Sequence, residues 1–406
     1  MTHTLPMLFT RSSLLVTAVL IAFTITACTT TQQLKPPVRP IVPSVTPIEK
    51  IQGAETLQPT TFAALSGWEQ DDLRQAWPAF LNSCQVLIKK EDWREPCTIA
   101  QDVNASEVKS IRAFFEAFFV PHRVVNADGS EQGLVTGYYE PLLQGSRKRG
   151  GPYQTPLYGV PDDMLTIELA GVYPQLKGMR LRGRLVGNKV MPYPTRAELV
   201  PSAALSGKEL FWVDDAVEAF FLQVQGSGRV RLKDEKETVR VAYADQNGSP
   251  YKSIGKYLVE IGELRLEQAS AQGIKTWIKA NPSRKTELFN INPSYVFFRE
   301  EKLLDPKVGP KGAMGLPLTP QRSIAVDAQY IPLGAPVFLK TTQPNSTATL
   351  QRLMLAQDTG GAIKNPVRAD FFWGFGVEAG EKAGSMKQRG MMWVLLPKLP
   401  IKLSGR

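Results

Sequence analysis

The chain has 406 residues, with 48 Lys and Arg against 38 Asp and Glu and a formal charge of +10. That length holds one large or two moderate domains with ample cores, and the basic balance favours an anionic partner. Two histidines and three cysteines are too few for a zinc site once the cysteines are otherwise committed, and nothing calls for a metal or a cofactor. Carboxylates are therefore the default acid–base groups.

His3 and Arg11 precede an apolar run from Leu14 to Phe23 and then Ile25-Thr26-Ala27-Cys28. A run of about ten apolar residues is too short for a bilayer that takes roughly 20, so residues 1–27 read as a signal peptide. Ile-Thr-Ala-Cys resembles a bacterial lipobox. The resemblance implies a diacylated Cys28 as mature N-terminus and, with Thr29 rather than Asp after it, an outer-membrane anchor facing the periplasm. Such an address turns the basic surface toward cell-wall peptides and lipid headgroups, away from nucleic acid. Residues 28–54 carry Pro36, Pro37, Pro40, Pro43 and Pro47 and read as a tether that reaches roughly 75 Å when extended at about 3.1 Å per residue. In that oxidising compartment Cys84 and Cys97 are expected to form a disulfide. His122, alone in Val-Pro-His-Arg, is read as structural.

Leu73, Trp77, Phe80, Leu81, Cys84 and Ile88 recur at steps of three and four and predict a helix. A second runs through Val108, Ile111, Phe115 and Phe118, with Ser106 as expected N-cap and Pro121 as its stop. From Leu134 the pattern changes to short β runs: 134–139, 180–186, 211–213, 219–224, 229–232 and 238–242, with Lys233–Glu237 as a hairpin loop. Helical segments return at 253–264 and 269–278, followed by a buried strand at 295–298. Further strands fall at 323–326, 337–339, 353–356 and 393–396. No repeating βαβ pattern is present, which argues against a doubly wound fold.

The densest run of chemistry-bearing residues is Gln357-Asp358-Thr359-Gly360-Gly361, followed by Arg368-Ala369-Asp370-Phe371-Phe372-Trp373. Asp358 ends a strand beside glycines that let backbone or ligand approach closely. Asp370 sits among large apolar residues, where desolvation raises a carboxyl pKa and keeps a proton for general-acid work. Asp327, after Ser323–Val326, is a third candidate. The bland alternative for all three is a turn residue bonding its own backbone. Asp358-Thr359-Gly360 also matches the aspartic-protease tripeptide, but that chemistry needs two such turns and the sequence has one.

Asp327, the stretch Asp358–Lys364 and Asp370 resemble the 3D domain. Thr136-Gly137-Tyr138-Tyr139-Glu140-Pro141, Val224-Gln225-Gly226-Ser227-Gly228, Ser253-Ile254-Gly255-Lys256 and Asn292–Phe298 resemble the rest of the membrane-bound lytic murein transglycosylase A family. The likeness runs from about residue 60 to 398. It implies a mainly β fold with helices, α+β and two-domain. A double-psi β-barrel catalytic domain at 55–140 and 301–406, its 3D part at about 315–398, would carry a second β-barrel inserted at 141–300, with a large groove between them. It also implies that Asp370 is the catalytic acid, that Asp358 and Asp327 line the same site, and that Thr136, Tyr138, Tyr139, Gln225, Ser227, Gly360 and Gly361 contact the substrate. The implied reaction cleaves peptidoglycan glycan strands with formation of 1,6-anhydro ends and needs no cofactor. Glu140 stands where some members of that family carry Thr, which leaves sugar contacts there open. The sequence allows partners in a wall-remodelling complex, and a non-catalytic wall-binding lipoprotein is the main rival reading.

Overall fold

The computed structural model describes residues 56–398 apart from Asp234 and Lys236; the expected leader, Cys28 and the tether lie outside the described residues. β1 (Leu57–Pro59) is followed by α1 (Trp77–Leu87), α2 (Glu91–Ile99) and α3 (Val108–Phe118), then by β2 (Phe119–Val124) and β3 (Gly133–Glu140). α1 turns Trp77, Phe80, Cys84 and Leu87 to one buried face, the spacing of a core-facing helix. Phe115 of α3 meets Phe80 with ring centroids 5.1 Å apart. Cys84 and Cys97 form the expected disulfide between α1 and α2, a short closure worth about 3 kcal/mol in chain-entropy terms.

Both expected ends of α3 are corrected. The Ser106 hydroxyl bonds Asn104 Oδ1 instead of capping, and Glu107 occupies the N-cap. The chain turns extended at Phe119 to begin β2, so Pro121 lies inside a strand, where its carbonyl accepts from Thr60 N.

β4 (Leu142–Ser146) and β5 (Thr155–Tyr158) begin a second sheet. A small sheet of β6 (Leu165–Thr166), β7 (Arg182–Val186) and β8 (Lys189–Pro192) interrupts it, followed by α4 (Arg196–Leu199). After β9 (Glu209–Val213) comes α5 (Ala216–Gln225), then β10 (Gly228–Leu232) and β11 (Thr238–Gln246). α6 (Ile254–Glu260), α7 (Ala271–Ala280) and α8 (Lys285–Asn290) lead to β12 (Val296–Glu301). The second sheet is ordered β12-β11-β10-β4-β9-β5 and forms a half-barrel whose edge strands β12 and β5 lie close but unpaired.

The strand expected at 219–224 is a helix. A short apolar run fits either element, and its ends decide. Asp215 accepts from Val217 N and Glu218 N at one end, and Gly226 takes the left-handed conformation (φ 83°) at the other, which are a helix start and a helix stop.

The chain then returns through β13 (Ser323–Val326), β14 (Pro336–Thr342), β15 (Thr349–Asp358), β16 (Arg368–Phe375), α9 (Val377–Ser385) and β17 (Lys387–Pro397). Six strands close a ring, β17-β14-β15-β13-β16-β3 and back to β17, with β2 and β1 continuing outward from β17. Within the ring β13–β15 and β16–β3 are parallel and the other pairs antiparallel. The fold is thus α+β and two-domain, a closed barrel beside a half-barrel.

Glu140 ends β3 where the chain crosses between the two sheets. It is 1% exposed and accepts from Arg229 Nε at 2.7 Å and Arg240 Nε at 2.6 Å. The same two guanidinium groups donate to the carbonyls of Pro306 and Val308 on the returning crossover. Glu140 is therefore a structural tie and offers no open face to a sugar.

Candidate active site

β3 and β16 run side by side with Thr136 opposite Asp370 and Tyr138 opposite Phe372. Alternate side chains of a strand share a face. Val135, Ala369 and Phe371 belong to the barrel core, which leaves Thr136, Tyr138, Arg368, Asp370 and Phe372 together on the outer face. Gly137 permits the close packing behind them, because a Cβ there would lie 2.8 Å from Ala383 Cα of α9 and from the Trp373 ring.

Thr136 Oγ1 donates to Asp370 Oδ1 at 2.6 Å and accepts from Arg368 Nη2 at 2.8 Å. The Tyr138 hydroxyl donates to Asp358 Oδ2 at 3.0 Å, while Asp358 Oδ1 accepts from Ala313 N at 2.8 Å and Thr359 N at 2.9 Å. Both aspartates keep some exposure, yet protein surrounds their carboxyl groups and that desolvation raises both pKa values. For Asp370 the Arg368 charge and the Thr136 hydrogen bond oppose the rise. For Asp358 the backbone donors and Tyr138 oppose it, and the Asp370 charge adds to it. A carboxyl raised by burial holds its proton to higher pH than an ordinary aspartic acid, the direction that general-acid work requires.

The other expected residues fall into place unevenly. Asp327 is 5% exposed, and its oxygens accept from Gln329 N at 3.2 Å and Asn365 N at 3.1 Å. It thereby fastens the turn after β13 to the loop before β16, where Asn365 has a positive φ of 96°. Its hydrogen bonds support the loop and do not reach Asp370. Tyr138 is buried with its ring 5.1 Å from that of Phe372, so it presents a hydroxyl to Asp358 and no free aromatic face. The Tyr139 ring packs against Gly380 of α9, and Tyr139 N donates to Gln225 Oε1 at 3.0 Å. Gln225 thus ties the end of α5 to β3. Ser227 follows, half-buried, in the turn between Gly226 and Gly228. A Cβ on Gly360 would meet Ile363 Cγ1 at 2.7 Å, whereas at Gly361 it would meet only Tyr251 Cβ, at 3.8 Å.

Sequence reasoning missed three participants. Ala313 acts through its backbone N–H, which no residue identity announces. Gly312 admits that backbone, since a Cβ there would lie 2.6 Å from Gln357 O and 3.2 Å from Asp358 Cβ. Arg368 was visible two residues before Asp370, and the period of a strand would have put the two on one face.

Residues 134–299 match the MltA specific insert domain and residues 322–396 match the 3D domain. The membrane-bound lytic murein transglycosylase A of Vibrio cholerae is 33% identical over 277 residues, 66% of this chain and 67% of that protein. The chain belongs to the membrane-bound lytic murein transglycosylase A family. Among solved structures, the lytic transglycosylase LtgG of Burkholderia pseudomallei is 49% identical, with 85% of this chain and 96% of that one covered and a TM-score of 0.56. Escherichia coli MltA with bound chitohexaose is 26% identical, with 81% and 91% covered and a TM-score of 0.62.

Proposed function

We propose that the protein is a peptidoglycan lytic transglycosylase in which Asp370 serves as acid and then as base. The observation that carries this reading is the pairing of a desolvated, raised Asp370 with a second carboxylate, Asp358, whose two oxygens already accept three hydrogen bonds. A glycosidase that uses water or a covalent intermediate employs two carboxyl groups. A lytic transglycosylase needs only one, which fits a site where Asp358 is engaged by Tyr138 and two backbone donors. Asp370 gives its proton to the oxygen leaving C1 of N-acetylmuramic acid. The resulting carboxylate takes the proton of that sugar's C6 hydroxyl, whose oxygen bonds C1 and closes a 1,6-anhydro ring. Intramolecular attack has the high effective molarity of an oriented neighbour.

On this reading Thr136, Tyr138, Tyr139, Gln225, Ser227, Gly360 and Gly361 border the glycan site, and Asp327 supports its loop. The half-barrel of residues 141–300 is the inserted domain of a barrel formed by 55–140 and 301–406. No helix among the described residues is long and apolar enough to cross a membrane. Attachment to the outer membrane through a lipidated Cys28, facing the periplasm, accounts for the leader and for relatives named membrane-bound. Digestion of purified sacculi followed by muropeptide analysis tests the activity: anhydro ends are expected, reducing ends would mean a hydrolase, and intact strands a binding protein.

A further inference from the structure

Asp370 has two carboxyl oxygens, and Oδ1 is the one bound to Thr136. An arginine N–H can only donate, so in the contact with Arg368 Nη2 the Thr136 oxygen must accept. The single hydroxyl hydrogen is then left for Asp370 Oδ1 at 2.6 Å. The opposite arrangement, with Asp370 protonated on Oδ1 and donating to Thr136, would leave the threonine hydrogen without a partner in this chain of contacts, at the usual cost of an unmade bond. Arg368 is itself fixed, because its Nη1 donates to the carbonyls of Leu134 on β3 and Ala369 on β16.

We infer that Arg368 is a positioning residue that acts through Thr136, holding Asp370 Oδ1 as an acceptor so that the transferable proton resides on Oδ2. The inference rests on Asp370 being the acid of the proposed reaction and specifies which of its atoms does the work. Proton delivery leaves a carboxylate whose Oδ1 is already bonded to a donor and whose nearest cation is Arg368, so the base form is stabilised for the second step without any rearrangement. Arg368 reaches Asp370 through a hydroxyl and not by a direct ion pair, so it tempers the acid without fixing it as an anion. The other ionisable groups around Asp370 are Tyr138 on β3 and Asp358 at the end of β15, with exposed Lys387 of β17 paired opposite Thr136.

The test compares Arg368→Gln, Thr136→Val, Thr136→Ser and the Gln/Val double variant in the full chain, measuring kcat and KM for anhydro-muropeptide release from un-cross-linked glycan strands across pH. Arg368→Gln and Thr136→Val are expected to lower kcat by up to about 10²-fold, the scale on which misplacing a reacting group costs rate, with KM within about twofold. Removing either group also removes something that lowers the Asp370 pKa, so the alkaline limb of the profile should move to higher pH. Thr136→Ser should restore both kcat and the limb, and the double variant should be no worse than the poorer single one, because the two act in series. Multiplying losses in the double variant, a loss confined to KM, or an unmoved alkaline limb would overturn the inference. Should Arg368→Gln not fold, Thr136→Val against Thr136→Ser still decides: equal losses in both would count against it. Asp370→Asn, run alongside, separates the two claims, since anhydro products from that variant would remove the acid assignment itself.

Discussion

Glu140 and Asp370 sit on neighbouring parallel strands, both as carboxylates in protein surroundings, and they are held in different ways. Glu140 docks two guanidinium groups directly, as Asp71 docks Arg322 through two contacts of 2.8 Å. These pairs clamp distant segments together. Asp370 receives a threonine hydroxyl, and Asp358 a tyrosine hydroxyl and two backbone N–H groups. An arginine is available to Asp370 yet is kept one hydroxyl away. Where a carboxylate clamps two segments the chain places a cation in contact; where the proposed mechanism moves a proton it interposes a neutral donor.

The largest effect is expected from Asp370→Asn, which keeps shape but loses the exchangeable proton, so anhydro-product turnover should fall by about 10²- to 10⁴-fold while glycan binding in a pull-down persists. Glu140→Gln should do the reverse. It strands two buried guanidinium groups, a loss of about 3–5 kcal/mol readable as a lower denaturant midpoint, with turnover per folded molecule largely kept; a stable but inactive Glu140→Gln would erase the distinction. Asp358→Asn should cost less turnover than Asp370→Asn, about tenfold, because an amide can still accept from Ala313 N and Thr359 N while its NH₂ faces the Tyr138 oxygen.

The smallest expected effect is on stability against pH. Burial raises the Asp370 and Asp358 pKa values, so as pH climbs past the ordinary carboxylate range the unfolded chain ionises first and wild-type stability declines. Asp370→Asn lacks that penalty. Thermal melts should therefore show the variant more stable than wild type at neutral pH, with the gap closing in acid where both states bind the proton. An equal gap at every pH would assign the gain to packing.

Much of this arrangement was legible in the sequence. Asp358 and Asp370 were marked by glycines and by aromatic neighbours, and α1 by its three-and-four spacing. The mostly apolar stretch 219–224 in α5 was not, because only Asp215 and Gly226 at the helix ends distinguish a helix from a strand there. Nor was Asp327 separable from the other two aspartates, since its distinction lies in which backbone N–H groups face it. That Tyr138 gives its ring to Phe372 and its hydroxyl to Asp358 was not legible either, because it depends on register between strands more than 200 positions apart, Tyr138 opposite Phe372.

That separation also orders events in time. Within the ring β3 pairs with β16 and β17 alone, so until residues 368–390 have been made, Thr136 and Tyr138 have no strand to lie against. The half-barrel encoded between them draws its strands from 142–301 and can collapse first, whereas ring closure is a long-range step of the kind that slows folding. A chain interrupted before β16 contains neither Asp370 nor a closed barrel, so on the proposed mechanism an incomplete copy has no power to cut.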